Sequence, residues 1–307
     1  MIDEDLRAWA QARGLEVACG PIDVVAEVWS ELDTRRQGGE LDAEFDREWM
    51  NWFRYPEGLP IDQANSVIVI VLPRPAHTVT FALEGGPLET VVPPTYVDYS
   101  KRRKEVHRDL ASSVFQGQHQ LKILLAPLKA VAARLGLVRY GLNNITYSPS
   151  FGSYIQLVGF VTDTQLAQTD EATSSTVEVL PTCRTCSTCQ GECPTGAIGE
   201  DRFLLHTERC LTLHSEAAGA WPDYIVPSAH HCLIGCMRCQ EVCPENAGLL
   251  RTESSGLAFS ADETAAILRH DESTEAPANP SVVARLETVG LEDYAPMLGR
   301  NLRALVK

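Results

Sequence analysis

Cys183-Arg184-Thr185-Cys186-Ser187-Thr188-Cys189-Gln190-Gly191-Glu192-Cys193-Pro194 sets four thiols at spacings of two, two and three residues, with a proline directly after the last. Three thiolates two residues apart can wrap one corner of an iron–sulfur cubane. The fourth, where proline turns the chain away, reaches a second cluster. An altered copy, Cys236-Met237-Arg238-Cys239-Gln240-Glu241-Val242-Cys243-Pro244, closes on the same Cys-Pro step. The pattern points to two [4Fe–4S] clusters and to electron handling.

Under the crossover rule of bacterial ferredoxins, Cys183, Cys186, Cys189 and Cys243 hold one cluster, and Cys193, Cys236 and Cys239 supply three ligands of the other. A regular second motif would put the remaining thiolate at Leu233, so spacing leaves Cys232 and Cys210 both open. Paired Cys-x2-Cys also builds zinc knuckles, but the run ending in Cys-Pro does not have their spacing. His206, His214, His230 and His231 read as surface or hydrogen-bonding residues, because eight thiolates already suffice.

The chain of 307 residues is several times longer than such a cluster module needs, so the clusters serve something else in the same chain. Hydrophobic residues at 44% and charged residues at 22% suit a globular protein with a real core. The net charge of −15 disfavours broad polyanion binding, and the Lys101-Arg102-Arg103-Lys104 run is the longest basic block. Nucleic acid is therefore not an expected partner. The acidic start, Met1-Ile2-Asp3-Glu4-Asp5, is unlike a signal peptide, and the longest apolar run, Val67 to Leu72, is too short to span a bilayer. A cytoplasmic location away from membranes is expected. Cys19 stands apart from the other thiols and reads as a small buried apolar residue.

Asp3 to Arg13 reads as an amphipathic helix ended by Gly14. Ser66 to Leu72 reads as a buried central strand stopped by Pro73, and Tyr154 to Val161 as a second apolar strand. Between them a helical region from about Asp98 to Leu135 is interrupted near Gly117, broken at Pro127 and capped by Gly136. Strands alternating with helices argue for an α/β domain over residues 1–178. Residues 179–250 form the cluster domain, and 251–307 a helical tail. In the tail Ser260-x-x-Glu263 signals a capped helix, and Asn279-Pro280 and Gly290 bracket another. Trp49, Trp52, Phe53 and Tyr55 read as a core aromatic patch.

Thr207-Glu208-Arg209-Cys210-Leu211-Thr212, followed by Gly235-Cys236-x-x-Cys239-Gln240-Glu241-Val242-Cys243-Pro244-Glu245-Asn246, resembles the epoxyqueuosine reductase family, which shares its core with the reductive dehalogenases. The likeness extends through Asp98-Tyr99-x-Lys101, Gly141-x-Asn143, Gly152-Ser153-Tyr154 and Phe160-Val161-Thr162-Asp163, with Leu298 to Leu302 similar to the family's closing helix. It implies an α/β (α+β) fold: a nitroreductase-like amino-terminal domain that holds base-off cobalamin, then a ferredoxin-like double-cluster domain and a short helical tail. It also implies Cys210 as the eighth ligand, since the family's extra cysteine has this Arg-Cys-Leu-Thr setting.

What the resemblance implies for function is an oxidoreductase fed singly by a flavodoxin or ferredoxin, forming Co(I) to reduce a small-molecule substrate. Asn143, Asn144, Gly152, Ser153 and Tyr154 would face the corrin. Two positions depart from the family: Leu124 stands where the reductases carry an acid two residues before Ala-Pro, and Leu142 where a basic residue follows the Gly of Gly-x-Asn. A positioned general acid is worth about 10²- to 10⁴-fold in rate, so these departures argue against tRNA epoxyqueuosine as substrate. Tyr99, Tyr140 and Arg139 remain as candidate proton donors. A second reading is an electron-transfer protein that activates a corrinoid or flavin partner protein, where no proton donor is needed.

Overall fold

The computed structural model describes residues 2–50, 58–169, 179–200, 203–270 and 279–306. The first half of the chain runs α1 (Ile2–Gln11), β1 (Glu16–Pro21), α2 (Asp23–Gln37), α3 (Ala43–Glu48), β2 (Ser66–Pro73), β3 (Ala76–Leu83), β4 (Gly86–Val92), α4 (Tyr99–Ser113), β5 (Leu121–Ile123) and α5 (Leu128–Arg134). It continues β6 (Arg139–Tyr140), β7 (Thr146–Tyr147), β8 (Ile155–Thr162), α6 (Thr188–Glu192), α7 (Leu211–Glu216), α8 (Arg238–Glu241), β9 (Thr252–Phe259), α9 (Ala261–Arg269), α10 (Pro280–Glu287) and α11 (Ala295–Leu305). Trp52, Phe53 and Tyr55 of the aromatic patch lie outside the described residues.

Contacts divide the chain into two units that interleave along the sequence. One comprises Met1–Pro73, Arg102–Ser187 and Glu200–Leu204, the other Arg74–Lys101, Thr188–Gly199 and Leu205–Lys307. These divisions fall at different places from the borders at 178 and 250 read in the sequence, because β3 and β4 pack with the carboxy-terminal helices.

In the first unit the strands lie in the order β1-β2-β8-β5, antiparallel throughout. The apolar run of β2 is buried along its length because its side chains alternate between two cores. Val67, Val69 and Val71 pack with Val25 and Val28 of α2 and Val131 and Ala132 of α5. Ile68, Ile70 and Leu72 pack with Leu6, Trp9 and Ala10 of α1 and Leu110 of α4. Helices on both faces thus explain an all-apolar strand without a parallel sheet. The expected helical region resolves into α4, β5 and α5; the three-residue strand β5 pairs with β8, and Gly136 ends α5 with φ +73°. Leu124 follows β5, is 1% exposed, and donates its amide to Gly159 O at 2.9 Å. It is a core residue, packed with Val131 and Ala132 of α5 and Val161 of β8. Cys19 is buried, as expected, and its thiol is pushed up to about 11 by burial first and Asp3 second.

In the second unit the strands lie in the order β4-β3-β9, with β3–β4 antiparallel and β3–β9 parallel. Val79 and Phe81 of β3 and Leu257 and Phe259 of β9 pack against Ile267 of α9, Leu286 of α10 and Leu298 and Leu302 of α11. The Phe81 and Phe259 rings stack at 5.2 Å. Both halves of the Ser260/Glu263 capping box form, and Asn279 caps α10 by accepting from Ser281 N. Among the described residues no helix is long and apolar enough to cross a membrane.

Candidate metal centre

The two cysteine motifs fold alike. In the first, Cys193 N donates to Gln190 O at 3.3 Å and Gly196 N to Cys193 O at 3.2 Å. In the second, Cys243 N donates to Gln240 O at 3.3 Å and Asn246 N to Cys243 O at 3.0 Å. Each Cys-Pro step thus turns the chain after a short helix, α6 or α8, and these two helices pack together. Cys183 and Cys186 belong to the first unit, where Leu180 N donates to Tyr140 O at 2.8 Å and Cys183 N to Leu180 O at 3.0 Å. The other cysteines of the motifs belong to the second unit.

Electrostatics show which thiols gather in that second unit. The Cys239 thiol is raised well above its usual value, by burial first and then by Cys236, Cys210, Cys193 and Cys189. Cys236 is pushed up to about 12 by burial, with Cys210 and Cys193 adding to it against the Arg238 amide. Cys210 is raised by burial, opposed by the Thr212 and Leu213 amides, and Cys193 is again its neighbour. Cys193 Sγ also accepts from Ala197 N at 3.2 Å. For Cys232 burial comes first and Cys236 second; it is buried with Ala76 and Met237 and bridges to Val91 of β4. Cys189, Cys193, Cys210 and Cys236 thus all lie near Cys239, and Cys193 and Cys210 also lie near Cys236. Thiols raised in this way are protonated without metal, so loading iron releases protons and couples binding to the fold of the segment.

Among the described residues no three His, Cys, Asp or Glu side chains are placed to share a single metal ion. The four histidines are engaged elsewhere. His231 Nε2 accepts from Met237 N at 3.0 Å, His214 Nε2 faces Glu208 O at 2.8 Å, His230 meets the Trp221 ring edge-on at 4.4 Å, and His206 pairs with Glu208 at 3.3 Å.

Around the set, α11 secures the Cys210 segment. Arg300 is buried, donates to His214 O at 2.7 Å and to Gly219 O, and lies 4.1 Å over the Trp221 ring. Ser215 Oγ accepts from Gly235 N at 2.7 Å, while Asn301 Nδ2 donates to Ser215 O at 2.9 Å. Sequence reasoning missed the pair formed by Tyr96 and Glu216, in which the phenol donates to the carboxylate. Burial, opposed by the Tyr96 hydrogen bond, raises Glu216 from the usual carboxylate range to about 7. Burial raises Tyr96 as well, with Glu216 next and Tyr294 and Cys210 contributing.

The raised Glu216 gives the folded chain a proton that the unfolded chain has lost above the ordinary carboxylate value. Its contribution to stability is present at low pH and fades as pH rises through about 7. Glu216→Gln should remove a loss on the order of 2 kcal/mol between mildly acidic and neutral pH. Denaturant titrations of the iron-loaded chain at pH 5 and pH 8 measure it, and an unchanged pH slope would refute the assignment.

Tyr96 explains Gly235. A Cβ there would sit 2.6 Å from the Tyr96 hydroxyl, and the backbone has φ +69°. Gly235 directly precedes Cys236, so Gly235→Ala should cost about 1–3 kcal/mol and lower iron occupancy preferentially in one cluster. Iron per chain and thermal melting together check this; wild-type values in both would contradict it.

The residues read from the sequence as catalytic or corrin-facing lie in varied surroundings. Tyr140 is buried, its ring edge-on to Phe203 at 5.4 Å, and its phenol is held well above its usual value by burial and Glu31. Arg139 is exposed on the same short strand, and Tyr99 is 38% exposed at the start of α4. Asn143 is buried and uses both ends of its amide in a turn: Nδ2 donates to Tyr147 Oη at 2.8 Å and Oδ1 accepts from Ile145 N at 3.2 Å. Asn144 has φ +58°, and its buried Nδ2 has no hydrogen-bond partner among the described residues. Gly152, at φ +58°, pairs with Ser148, and Ser153 and Tyr154 are buried beside it.

The 4Fe-4S double cluster binding domain matches residues 182–246, so the cysteine constellation defines a double-cluster iron–sulfur protein. The resemblance to the epoxyqueuosine reductase superfamily holds in both sequence and fold. Epoxyqueuosine reductase of Bacillus subtilis (strain 168) is 31% identical over 120 residues, 39% of this chain and 29% of that protein. The Synechocystis enzyme of the same name is 32% identical over 151 residues, 48% of this chain and 50% of its own length. These matches thus span half or less of the curated relatives. The structure of epoxyqueuosine reductase from Streptococcus thermophilus superposes with a TM-score of 0.71 at 18% identity, covering 98% of this chain and 80% of that one, a likeness of fold.

Proposed function

We propose that the chain is an iron–sulfur oxidoreductase in which two [4Fe–4S] clusters relay single electrons to a bound cobalamin, for reduction of a small-molecule substrate other than epoxyqueuosine in tRNA. The observation that carries the electron relay is the convergence of Cys193, Cys210, Cys236 and Cys239, with the second motif closing on Cys243-Pro244. In this reading Cys183, Cys186, Cys189 and Cys243 hold the other cluster.

For the corrinoid the fit rests on Asn144, whose orphaned amide would donate to an acceptor on a bound ligand. Asn143 would act indirectly, by shaping the turn that presents Asn144. Gly152, at φ +58°, gives the backbone a bend without a side chain beside buried Ser153 and Tyr154. Cobalamin, when bound, would supply the nucleophilic two-electron chemistry, and the protein would bind it, exclude water and orient the substrate.

Anaerobic titration of the iron-loaded chain with cob(II)alamin, followed by absorption and electron paramagnetic resonance, tests the reading. A base-off signal that saturates near one equivalent, and weakens in Asn144→Ala, is the expected result. A fully iron-loaded chain that leaves cob(II)alamin unchanged would reject the corrinoid part.

Two observations favour a second reading, an electron-transfer protein that activates a redox partner. The acid position is a core leucine, and Tyr140 is packed and held in its protonated form. Stable complex formation with a corrinoid or flavin protein, without turnover of free small molecules, would select it. True epoxyqueuosine reduction is a third reading, resting on what the similar proteins are named; restored queuosine in a reductase-deficient cell would establish it.

A further inference from the structure

We propose that the exposed face of α4, centred on Lys101, Lys104 and Arg108, is the docking surface for an acidic one-electron carrier protein of the iron–sulfur or flavin type. The inference rests on the electron relay proposed above and adds where the reductant binds.

The sequence concentrates Lys101, Arg102, Arg103, Lys104 and Arg108 on one helix of a chain whose net charge is −15. Spacings of three and four residues put Lys101, Lys104 and Arg108 in one stripe, with all three exposed. Of the neighbouring carboxylates two are taken up by cations outside the stripe, and Asp98 pairs with Lys101 itself. Asp109 receives Arg13 at 2.5 and 3.0 Å, Glu105 receives Arg102 at 3.1 Å, and Asp98 lies 3.8 Å from Lys101. Among the described residues Lys104 and Arg108 form no ion pair, so their charge faces outward. They line a shallow groove of about 810 Å³ with His107, Ser112 and Gln116, and no carboxylate lines it.

The stripe starts near the cluster ligands. Tyr96 packs on Gly235, next to Cys236, and Lys101 follows five residues later in the same unit, within about 18 Å along even a fully extended chain. The intervening backbone is fixed: Thr95 and Asp98 have φ +85° and +56°, and Asp98 N donates to Val289 O at 2.8 Å. Such outliers in non-glycine residues persist only where surrounding structure holds them.

Charge selects the occupant. On a chain of net charge −15 a basic stripe attracts an acidic carrier and orients the encounter; such steering changes association rates by about 10- to 1,000-fold and fades with salt. A nucleic-acid strand would need a longer basic track than one helix on a strongly acidic protein. On docking, the reduced carrier loses one electron and a cluster gains it, with no bond made or broken.

The test is stopped-flow reduction of the iron-loaded chain by a reduced acidic ferredoxin, at low and high salt, for wild type, Lys104→Glu/Arg108→Glu and the milder Lys104→Gln/Arg108→Gln. The second-order rate at low salt should fall at least about tenfold in the Glu variant and less in the Gln variant, with a flattened salt dependence. Reduction by dithionite should be unchanged, which certifies intact clusters. Wild-type rates and salt slope in both variants would overturn the proposal. So would loss of single-stranded RNA binding in the variants while ferredoxin kinetics stay the same. If the wild-type chain takes up no iron, the relay fails by itself; calorimetry with ferredoxin then decides the docking, supported if the variants lose binding and overturned if they keep it.

Discussion

Cys210→Ser is expected to halve the iron, from about eight to about four per chain, whereas Cys232→Ser should keep about eight. The two thiols are equivalent by spacing, and the distinction comes from their neighbours. Cys210 interacts with Cys193, Cys236 and Cys239, each of which needs a fourth partner to complete a cubane. Cys232 instead fills a small apolar pocket with Ala76 and Met237, and its backbone is committed to β4 through Val91. Serine there should cost only the transfer of a hydroxyl into that pocket, about 1–3 kcal/mol. Iron and acid-labile sulfide per chain, with the spectrum of the dithionite-reduced protein, measure both variants. Half-loss in Cys232→Ser with full retention in Cys210→Ser would reverse the ligand assignment.

Leu124→Asp should unfold the first unit more readily, without placing an acid in a reactive site. The side chain is 1% exposed and packs in the core formed by β2, β8, α2 and α5. Removing it forfeits a leucine's burial, about 2–5 kcal/mol, and adds the desolvation of a carboxyl group. A loss of at least about 4 kcal/mol follows, a fall of roughly 10 °C in melting temperature for a unit of this size. Burial raises the new carboxyl's pKa above its unfolded value, so the defect should be milder at pH 6 than at pH 8. Leu125→Asp, at a position 36% exposed, should stay within about 0.5 kcal/mol of wild type. A Leu124→Asp chain as stable as wild type would show that this position is not core.

The comparison of these two residues shows what the sequence carried. The cluster motifs were legible because ligand geometry fixes spacing along the chain, and β2 because a strand buried on both faces must be apolar at every position. The capping box at Ser260 and the glycine at Gly136 were legible because each meets a local backbone requirement. The β3–β4 hairpin went unread, although Val79 and Phe81 alternate before Gly85-Gly86; its partner β9 arrives 160 residues later and leaves no local trace. Tyr96 and Glu216 escaped for the same reason, since a hydrogen bond between residues 120 apart has no periodicity. The burial of Leu124 was not legible, because it depends on Gly159 of β8, whose carbonyl accepts the Leu124 amide from a strand 35 residues away.

The most direct measurement is iron, sulfide and zinc per chain after anaerobic reconstitution, with electron paramagnetic resonance of the dithionite-reduced protein. About eight irons, about eight sulfides and a signal from two interacting [4Fe–4S]⁺ centres are the expected result. Stoichiometric zinc with little iron, or one cluster that Cys210→Ser leaves intact, would contradict the assignment of two clusters to these eight cysteines.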